Sequence, residues 1–183
     1  MMFRSMKDRI GRLRLSREAE PVRQRSGTNF TEAKRIGIVY RDDDERAYNR
    51  IRTFAKGLKE NFRTNTVQVL GFVDLPEKQL PVWQQRKLEY DYFTHNDLNW
   101  YMKPVKNVRN FLEQDFDLLI DLSGGNIAPL GFVLKESKAH MKVGWQGSIT
   151  APYCDLTIAL PGSESPDLFI QQLHLYLGNP QIT

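Results

Sequence analysis

The chain has 183 residues, with 26 Lys or Arg, 22 Asp or Glu and 40% hydrophobic residues. This composition is typical of one soluble globular domain and excludes a collagen-like or wholly disordered chain. No run reaches the ~20 apolar residues that a membrane-spanning helix needs, and a single cysteine, Cys154, excludes an internal disulfide. From the lone thiol and the lack of an apolar signal segment we expect a cytoplasmic location.

Positive charge is concentrated near the N-terminus. Residues 1–35 hold ten Lys or Arg and four Asp or Glu, whereas the remaining 148 residues carry a net charge of −2. This asymmetry indicates a basic appendage on a nearly neutral domain, and it argues against a domain whose whole surface binds nucleic acid. We therefore predict a basic amphipathic arm and linker over residues 1–30, followed by one domain over residues 31–183. Removal of the arm is expected to leave the domain folded.

The arm pattern predicts a helix with its apolar residues on one side. Phe3, Met6, Ile10 and Leu13 recur at three- and four-residue spacing, and Pro21 follows the end of the pattern. The arm cations predicted to bind a partner are Arg4, Lys7, Arg9, Arg12, Arg14, Arg17, Arg23 and Arg25. We expect an anionic partner, and RNA or the ribosome, a membrane surface and an acidic protein stay open. A solvated tail without a partner is the alternative.

Strand and helix patterns alternate after the arm. Short apolar runs predict strands at residues 35–40, 66–73, 90–93, 117–122, 142–145 and 155–160. Helical patterns cover residues 42–62, 77–88, 104–113, 127–139 and 166–177. This alternation predicts right-handed βαβ crossovers, and hence a Rossmann-like three-layer α/β sandwich with a mostly parallel sheet of five to six strands.

In such a sheet the first strand lies centrally beside the fourth, and ligands bind in the crevice where the two carboxyl ends meet. The crevice is therefore expected after strands 36–40 and 117–122. Its candidate ligand residues are Arg41, Asp42, Asp43, Asp121, Ser123, Gly124, Gly125 and Asn126. A phosphate-binding glycine motif is absent after the first strand, and the carboxylates there would repel a phosphate from the next helix N-terminus.

Both crevice loops also have a structural interpretation. Asp42 or Asp43 can cap the following helix, and the two glycines of residues 123–126 can allow a sharp turn. The functional interpretations are a catalytic base or cation cluster in the first loop, and backbone N–H groups turned towards an anion in the second. We assign no catalytic residue, metal or cofactor, because the histidines lack metal-ligand spacing and the chain has no recognised nucleophile motif.

Two resemblances rest on these segments. The Asp-Leu-Asn-Trp stretch at 97–100 and the strand at 117–122 resemble an uncharacterised family of small α/β proteins from Bacteroidota, over about residues 30–178. That resemblance implies a bacterial, cytosolic protein and no known activity. Residues 116–147 are similar to part of the N-terminal domain of heptosyltransferase-like glycosyltransferases. The Gly-Asp loop that follows the first strand of those enzymes is replaced here by residues 41–43.

These observations favour a non-catalytic binding or accessory protein whose basic arm docks an anionic partner. The alternative is a small-molecule-binding protein or a glycosyltransferase-like enzyme that uses the crevice.

Overall fold

One parallel sheet lies at the centre of the computed structural model, which describes residues 2–62, 64–81, 90–160 and 165–178, without the side chains of residues 2–5. Its strands are β1 (Arg35–Arg41), β2 (Thr66–Val73), β3 (Tyr90–Thr94), β4 (Leu118–Asp121), β5 (Met141–Trp145) and β6 (Leu156–Ile158). The α-helices are α1 (Met2–Arg17), α2 (Glu45–Phe62), α3 (Arg109–Leu112), α4 (Ala128–Glu136) and α5 (Pro166–Leu177).

The strand order is β3-β2-β1-β4-β5-β6, and all neighbours in the sheet are parallel. Residues 36–39 of β1 pair in register with residues 118–121 of β4. The predicted Rossmann-like α/β sandwich is confirmed, as is the central pairing of the first and fourth strands. Because the strand order reverses between β1 and β4, a ligand crevice is expected at the carboxyl ends of these strands.

Alternate side chains of the sheet enter two apolar layers. Ile36 and Ile38 of β1 lie in the layer that the sheet forms with α2 and α5. Val39 lies in the layer on the opposite face, with side chains of α3 and α4. Leu15 of α1 belongs to this second layer, so α1 lies on the same face of the sheet as α4.

The prediction of a helix over residues 104–113 is wrong in its first half. Only Arg109–Leu112 is helical, and Pro104 instead forms an isolated antiparallel bridge. Asn107 has a φ of 56°, in the left-handed region that interrupts a right-handed helix. Its side chain donates to Asp97 at 2.8 Å, which holds the segment in this conformation.

Several helix boundaries differ from the predicted ones by a few residues. α2 begins at Glu45 rather than at residue 42, because the Asp42 N–H still bonds to the Phe72 carbonyl of β2 at 3.0 Å. The helix predicted over residues 77–88 is a single 3₁₀ turn, Glu77–Gln79, as far as residue 81; residues 82–89 lie outside the described residues. The predicted bounds of α5 are confirmed.

The first helix packs closely on the body of the protein. Gly11 of α1 faces the backbone of the loop before α3, where an added Cβ would lie 2.8 Å from the Tyr101 carbonyl oxygen. Leu15, one turn further along α1, is buried against α4. Glycine therefore sets how closely α1 can approach. Among the helices of the described residues, none is both long and apolar enough to cross a membrane.

The segment after α1 also packs on the body of the protein. Arg23 donates to both carboxylate oxygens of Asp155 at 2.7 and 2.8 Å, and its side chain is 2% exposed. Phe30 is fully buried in the layer beneath α2 and α5. The arm boundary at residue 30 stays a prediction, but residues on its N-terminal side contribute to both apolar layers.

Candidate functional site

A cavity of about 220 Å³ lies at the carboxyl ends of β1 and β2, beside the N-terminus of α4, the helix that follows β4. Helix α1 forms one of its walls. The polar and aromatic residues that line it are Asp8, Arg12, Arg41, Phe72, Asp74 and Asn126. Two guanidinium groups thus face two carboxylates, and none of the three aspartates at 42–44 lines this cavity.

The acidic loop after β1 is engaged in local contacts. Asp42 is buried and accepts a hydrogen bond from the Tyr40 hydroxyl at 2.6 Å. Asp43 is exposed and pairs with Arg41 at 2.5 Å. The prediction that Asp42 or Asp43 caps α2 is wrong, because Asp44 accepts from the Ala47 N–H at 2.7 Å. The shift follows from the later start of α2.

The Tyr40 hydroxyl stays protonated as a donor in this contact. Burial raises the pKa of Tyr40 far above its ordinary value, and the neighbouring Asp42 carboxylate raises it further. Tyr40 and Asp42 therefore form a buried hydrogen-bonded pair at the carboxyl end of β1.

The second loop is organised around a fully buried carboxylate. Asp121 accepts from the Ser123 hydroxyl at 2.5 Å, from the Ser123 N–H at 2.9 Å and from the Thr150 hydroxyl at 2.8 Å. Burial raises the pKa of Asp121 above its ordinary value, while these hydrogen bonds lower it. Since the carboxylate has no exposed surface, it joins the loop after β4 to the loop after β5 rather than facing the cavity.

The two glycines of this loop allow the same close contact between the loop after β4 and the loop after β5. Gly124 and Gly125 have φ values of 78° and 72°, and a side chain at Gly125 would overlap Ser148. The Gly125 N–H already donates to the Ser123 hydroxyl at 3.1 Å, so this N–H is not turned towards the cavity. The predicted candidates therefore separate. Arg41 and Asn126 line the cavity, whereas the others lie in local networks or beside it.

Of the six polar and aromatic cavity residues, four were not among the predicted crevice residues. Arg12 and Asp8 belong to α1, and no pattern in the sequence indicates that α1 reaches the crevice. Phe72 and Asp74 lie at the carboxyl end of β2, next to β1. Asp74 also pairs with His95, which follows β3. The position of Asp74 directly after a predicted strand is the one signal that could have found it.

The acids of the N-terminal segment face the body of the protein. Glu18 accepts from Lys103 at 2.8 Å, and a carboxylate oxygen of Glu20 lies 3.6 Å from the ammonium nitrogen of Lys142. The Lys142 side chain is fully buried. Burial and the nearby Arg23 lower the pKa of Lys142 to about 8, although Glu20 acts in the opposite direction. These acids therefore neutralise lysines of the body.

A second buried lysine holds the end of α1. Lys135 donates to the carbonyl oxygens of Leu15 and Glu18, which lie at the C-terminal end of the helix. The Tyr153 hydroxyl adds a hydrogen bond of 3.0 Å to the Leu15 carbonyl. A cation at this end of a helix is favourable, because the helix dipole places partial negative charge there.

The outward side of α1, defined here as the exposed positions among residues 6–17, carries a different set of side chains. Its members are Met6, Lys7, Arg9, Arg12, Leu13, Arg14, Ser16 and Arg17. Five of these side chains are cations and none is an acid. The outward side is therefore uniformly basic, with two apolar side chains among the cations.

The remaining arm candidates differ in their surroundings. Arg4 lies in α1, but its side chain is outside the described residues. Arg23 is buried against Asp155 and serves the fold, whereas Arg25 is exposed and lies 3.7 Å from the same carboxylate. Within the described ranges, no group of three His, Cys, Asp or Glu side chains is placed to hold a metal ion.

A family model described as a family of unknown function, DUF6913, matches residues 7–179. The match covers most of the predicted arm and most of the α/β domain. The chain matches no curated protein and no solved structure.

Proposed function

Because the chain belongs to DUF6913, a family of unknown function, we propose a function from its own surface: it is a non-catalytic binding or accessory protein that docks an anionic partner through the outward side of α1. The separation of charge across α1 carries this proposal. Exposed positions of residues 6–17 hold five cations and no acid, whereas Asp8, Glu18 and Glu20 are turned inwards. Arg12 lines the cavity together with Asp8, which leaves Lys7, Arg9, Arg14 and Arg17 as the outward cations that lie outside it.

The attachment of α1 supports this function. Gly11 and Leu15 fix the inner side of the helix, and Lys135 holds its C-terminal end. The cations are therefore presented on an ordered helix, which lowers the conformational entropy that a partner must remove on binding. We retain RNA or the ribosome, a membrane surface and an acidic protein as partners at this level, together with a bacterial origin and a cytoplasmic location.

The test uses a double variant, Arg9→Gln with Arg17→Gln, and two anionic probes: single-stranded RNA and vesicles that contain phosphatidylglycerol. Each cation near an anionic membrane contributes about 1 kcal/mol, or about fivefold, so the variant is expected to bind such vesicles about 25-fold more weakly. If RNA is the partner, its binding falls in the same direction and weakens with added salt. Vesicle co-sedimentation and fluorescence anisotropy measure the two affinities.

The matched control is Arg46→Gln with Lys56→Gln. It removes the same charge from exposed positions of α2, which lies on the opposite face of the sheet. This control is expected to bind like the wild type. The proposal fails if the two double variants bind equally. A wild-type protein that binds neither probe at low salt excludes RNA and a membrane surface and leaves an acidic protein as the partner.

A second candidate function is the binding of a small molecule in the crevice. The cavity of about 220 Å³ supports it, since it lies where open α/β sheets bind ligands and presents Arg12 and Arg41. The resemblance to glycosyltransferases adds nucleotide sugars to the ligands that we would try. A thermal-shift panel of nucleotide sugars, nucleotides and small carboxylates tests this candidate. A stabilising ligand should lose its effect in Arg41→Ala and keep it in Arg46→Ala, and silence across the panel counts against the candidate.

A further inference from the structure

The proposed function leaves three classes of anionic partner open. We propose that the partner is the surface of an anionic membrane, on which the outward side of α1 lies flat; this inference rests on the proposed function and adds the class of partner to it. The evidence for a membrane is the apolar side chains that lie among these cations. The proposed function rests on charge and does not use them.

Met6 and Leu13 form a short apolar stripe on the outward side of α1. They are 53% and 49% exposed, and a spacing of seven residues places them almost in line along the helix, about 10 Å apart. Arg9 lies between them, three residues after Met6 and four before Leu13, and Arg17 follows one turn later. A helix of this kind lies in the plane of a membrane interface, with its apolar residues below the headgroups and its cations level with them.

The loop beside α1 adds an aromatic side chain to the same region. Trp100 is 59% exposed and packs edge-on against Tyr101, with ring centres 5.2 Å apart. The Arg14 guanidinium lies 5.9 Å from the centre of the Tyr101 ring. Trp100 is therefore linked through Tyr101 to the outward side of α1. Tryptophan favours the membrane–water interface, because its apolar ring can contact lipid while its N–H stays hydrated.

The charge pattern complements lipid headgroups in particular. Inner attachment by Gly11 and Leu15 holds α1 along the protein surface, so that Arg9 and Arg17, on either side of the apolar stripe, can meet a flat anionic plane together. Binding to RNA needs the cations and gains from stacked aromatic rings, but it gains nothing from Met6 and Leu13. The membrane proposal therefore predicts that these two apolar side chains contribute to binding.

The decisive variant is Met6→Ser with Leu13→Ser, which keeps every cation. Full-length wild type is expected to co-sediment with vesicles that mix phosphatidylglycerol and phosphatidylcholine, and not with phosphatidylcholine alone. Loss of the stripe should weaken this binding about tenfold. The matched control, Leu175→Ser with Tyr176→Ser, removes two exposed apolar side chains from α5 on the other face of the sheet and should bind like the wild type.

A second readout follows Trp100 directly. Brominated lipids should quench tryptophan emission in the wild type, and Trp100→Phe should remove that quenching. Equal quenching in both proteins overturns the placement of Trp100 at the membrane.

The outcomes separate this inference from the proposed function. Binding to RNA without binding to vesicles overturns the membrane inference and leaves the proposed function in place. Binding to neither probe overturns the membrane inference, excludes RNA and leaves only an acidic protein as the partner in the proposed function. Vesicle binding that the Met6→Ser, Leu13→Ser variant retains in full also overturns the inference, because the contact would then involve the cations alone.

Discussion

Lys142 has no exposed surface, and its pKa falls to about 8 because burial and the nearby Arg23 disfavour the charged form. Below pH 8 the ammonium is charged in both the folded and the unfolded chain, and the folded state bears the full cost of holding it. Between pH 8 and the ordinary lysine pKa of 10.5, the unfolded chain keeps its proton while the folded chain has lost it. The Lys142 contribution to the free energy of unfolding therefore rises with pH across this window.

We predict that this dependence disappears in Lys142→Met. The free energy of unfolding of the wild type, relative to the variant, should increase by on the order of 3 kcal/mol between pH 7.5 and pH 10.5. Urea denaturation at both pH values measures it. Both proteins should carry Cys154→Ala, because the Cys154 thiol faces Lys142 and burial raises its pKa. An exposed control, Lys56→Met, should show no such change, and a pH-independent difference for Lys142→Met would contradict the prediction.

The location of Asp121 could be predicted from the sequence, but the contacts of its side chain could not. Its position at the carboxyl end of a central strand predicted a ligand contact, and that position is confirmed. The direction of its side chain depends on Thr150, which lies in the loop after another strand. A partner 29 residues away has no local pattern in the sequence. The strand end could therefore be predicted, whereas the use of its carboxylate could not.

At the scale of elements, the attachment of α1 depends on side chains from the body of the protein. The last carbonyl groups of a helix have no partner within it, and Lys135 supplies one for both Leu15 and Glu18. The Lys135 ammonium also lies 4.8 Å from the centre of the Tyr153 ring. Since Lys135 is only 3% exposed, these contacts take the place of the water molecules that would otherwise hydrate its ammonium group.

Replacement of Lys135 by methionine tests this attachment. We expect Lys135→Met to lower the free energy of unfolding by about 2–3 kcal/mol, because it leaves buried carbonyl groups without their charged donor. Hydrogen exchange should accelerate most at the amides of α1. Lys138→Met, an exposed control three residues away, should stay within about 0.5 kcal/mol of the wild type. Equal acceleration throughout the sheet would show that Lys135 stabilises the whole fold rather than α1.

The elements themselves were predictable where a local pattern carried the information. The buried runs of β1 and β4 have a continuous apolar composition that indicates a strand covered on both faces. The apolar spacing of α1 indicated a helix but not which side of it faces the body of the protein, since Met6 and Leu13 are exposed while Gly11 and Leu15 pack inwards. A glycine at a close helix contact looks like a gap in the apolar pattern. Periodicity alone therefore could not orient α1.

For the whole molecule, the N-terminal charge of the sequence has two separate uses. Glu18, Glu20 and Arg23 form ion pairs with the body, so they count towards folding. The cations on the outward side of α1 are exposed instead, so they are available to a partner. The composition of residues 1–35 could show the excess of positive charge, but only the packing of α1 separates these roles.

This separation leads us to replace the expectation that the domain stays folded without residues 1–30. Deletion removes Phe30, which is fully buried, and takes the partners of Lys135 and Lys142 away. Loss of one buried phenylalanine alone costs about 3–5 kcal/mol, against a typical total stability of about 5–15 kcal/mol. We expect the truncated chain to be unfolded or severely destabilised by circular dichroism and thermal melting. The Arg9→Gln, Arg17→Gln variant should melt within a few degrees of the wild type, since both side chains are exposed. A truncated chain with a wild-type melting temperature would show that residues 1–30 are a separable arm after all.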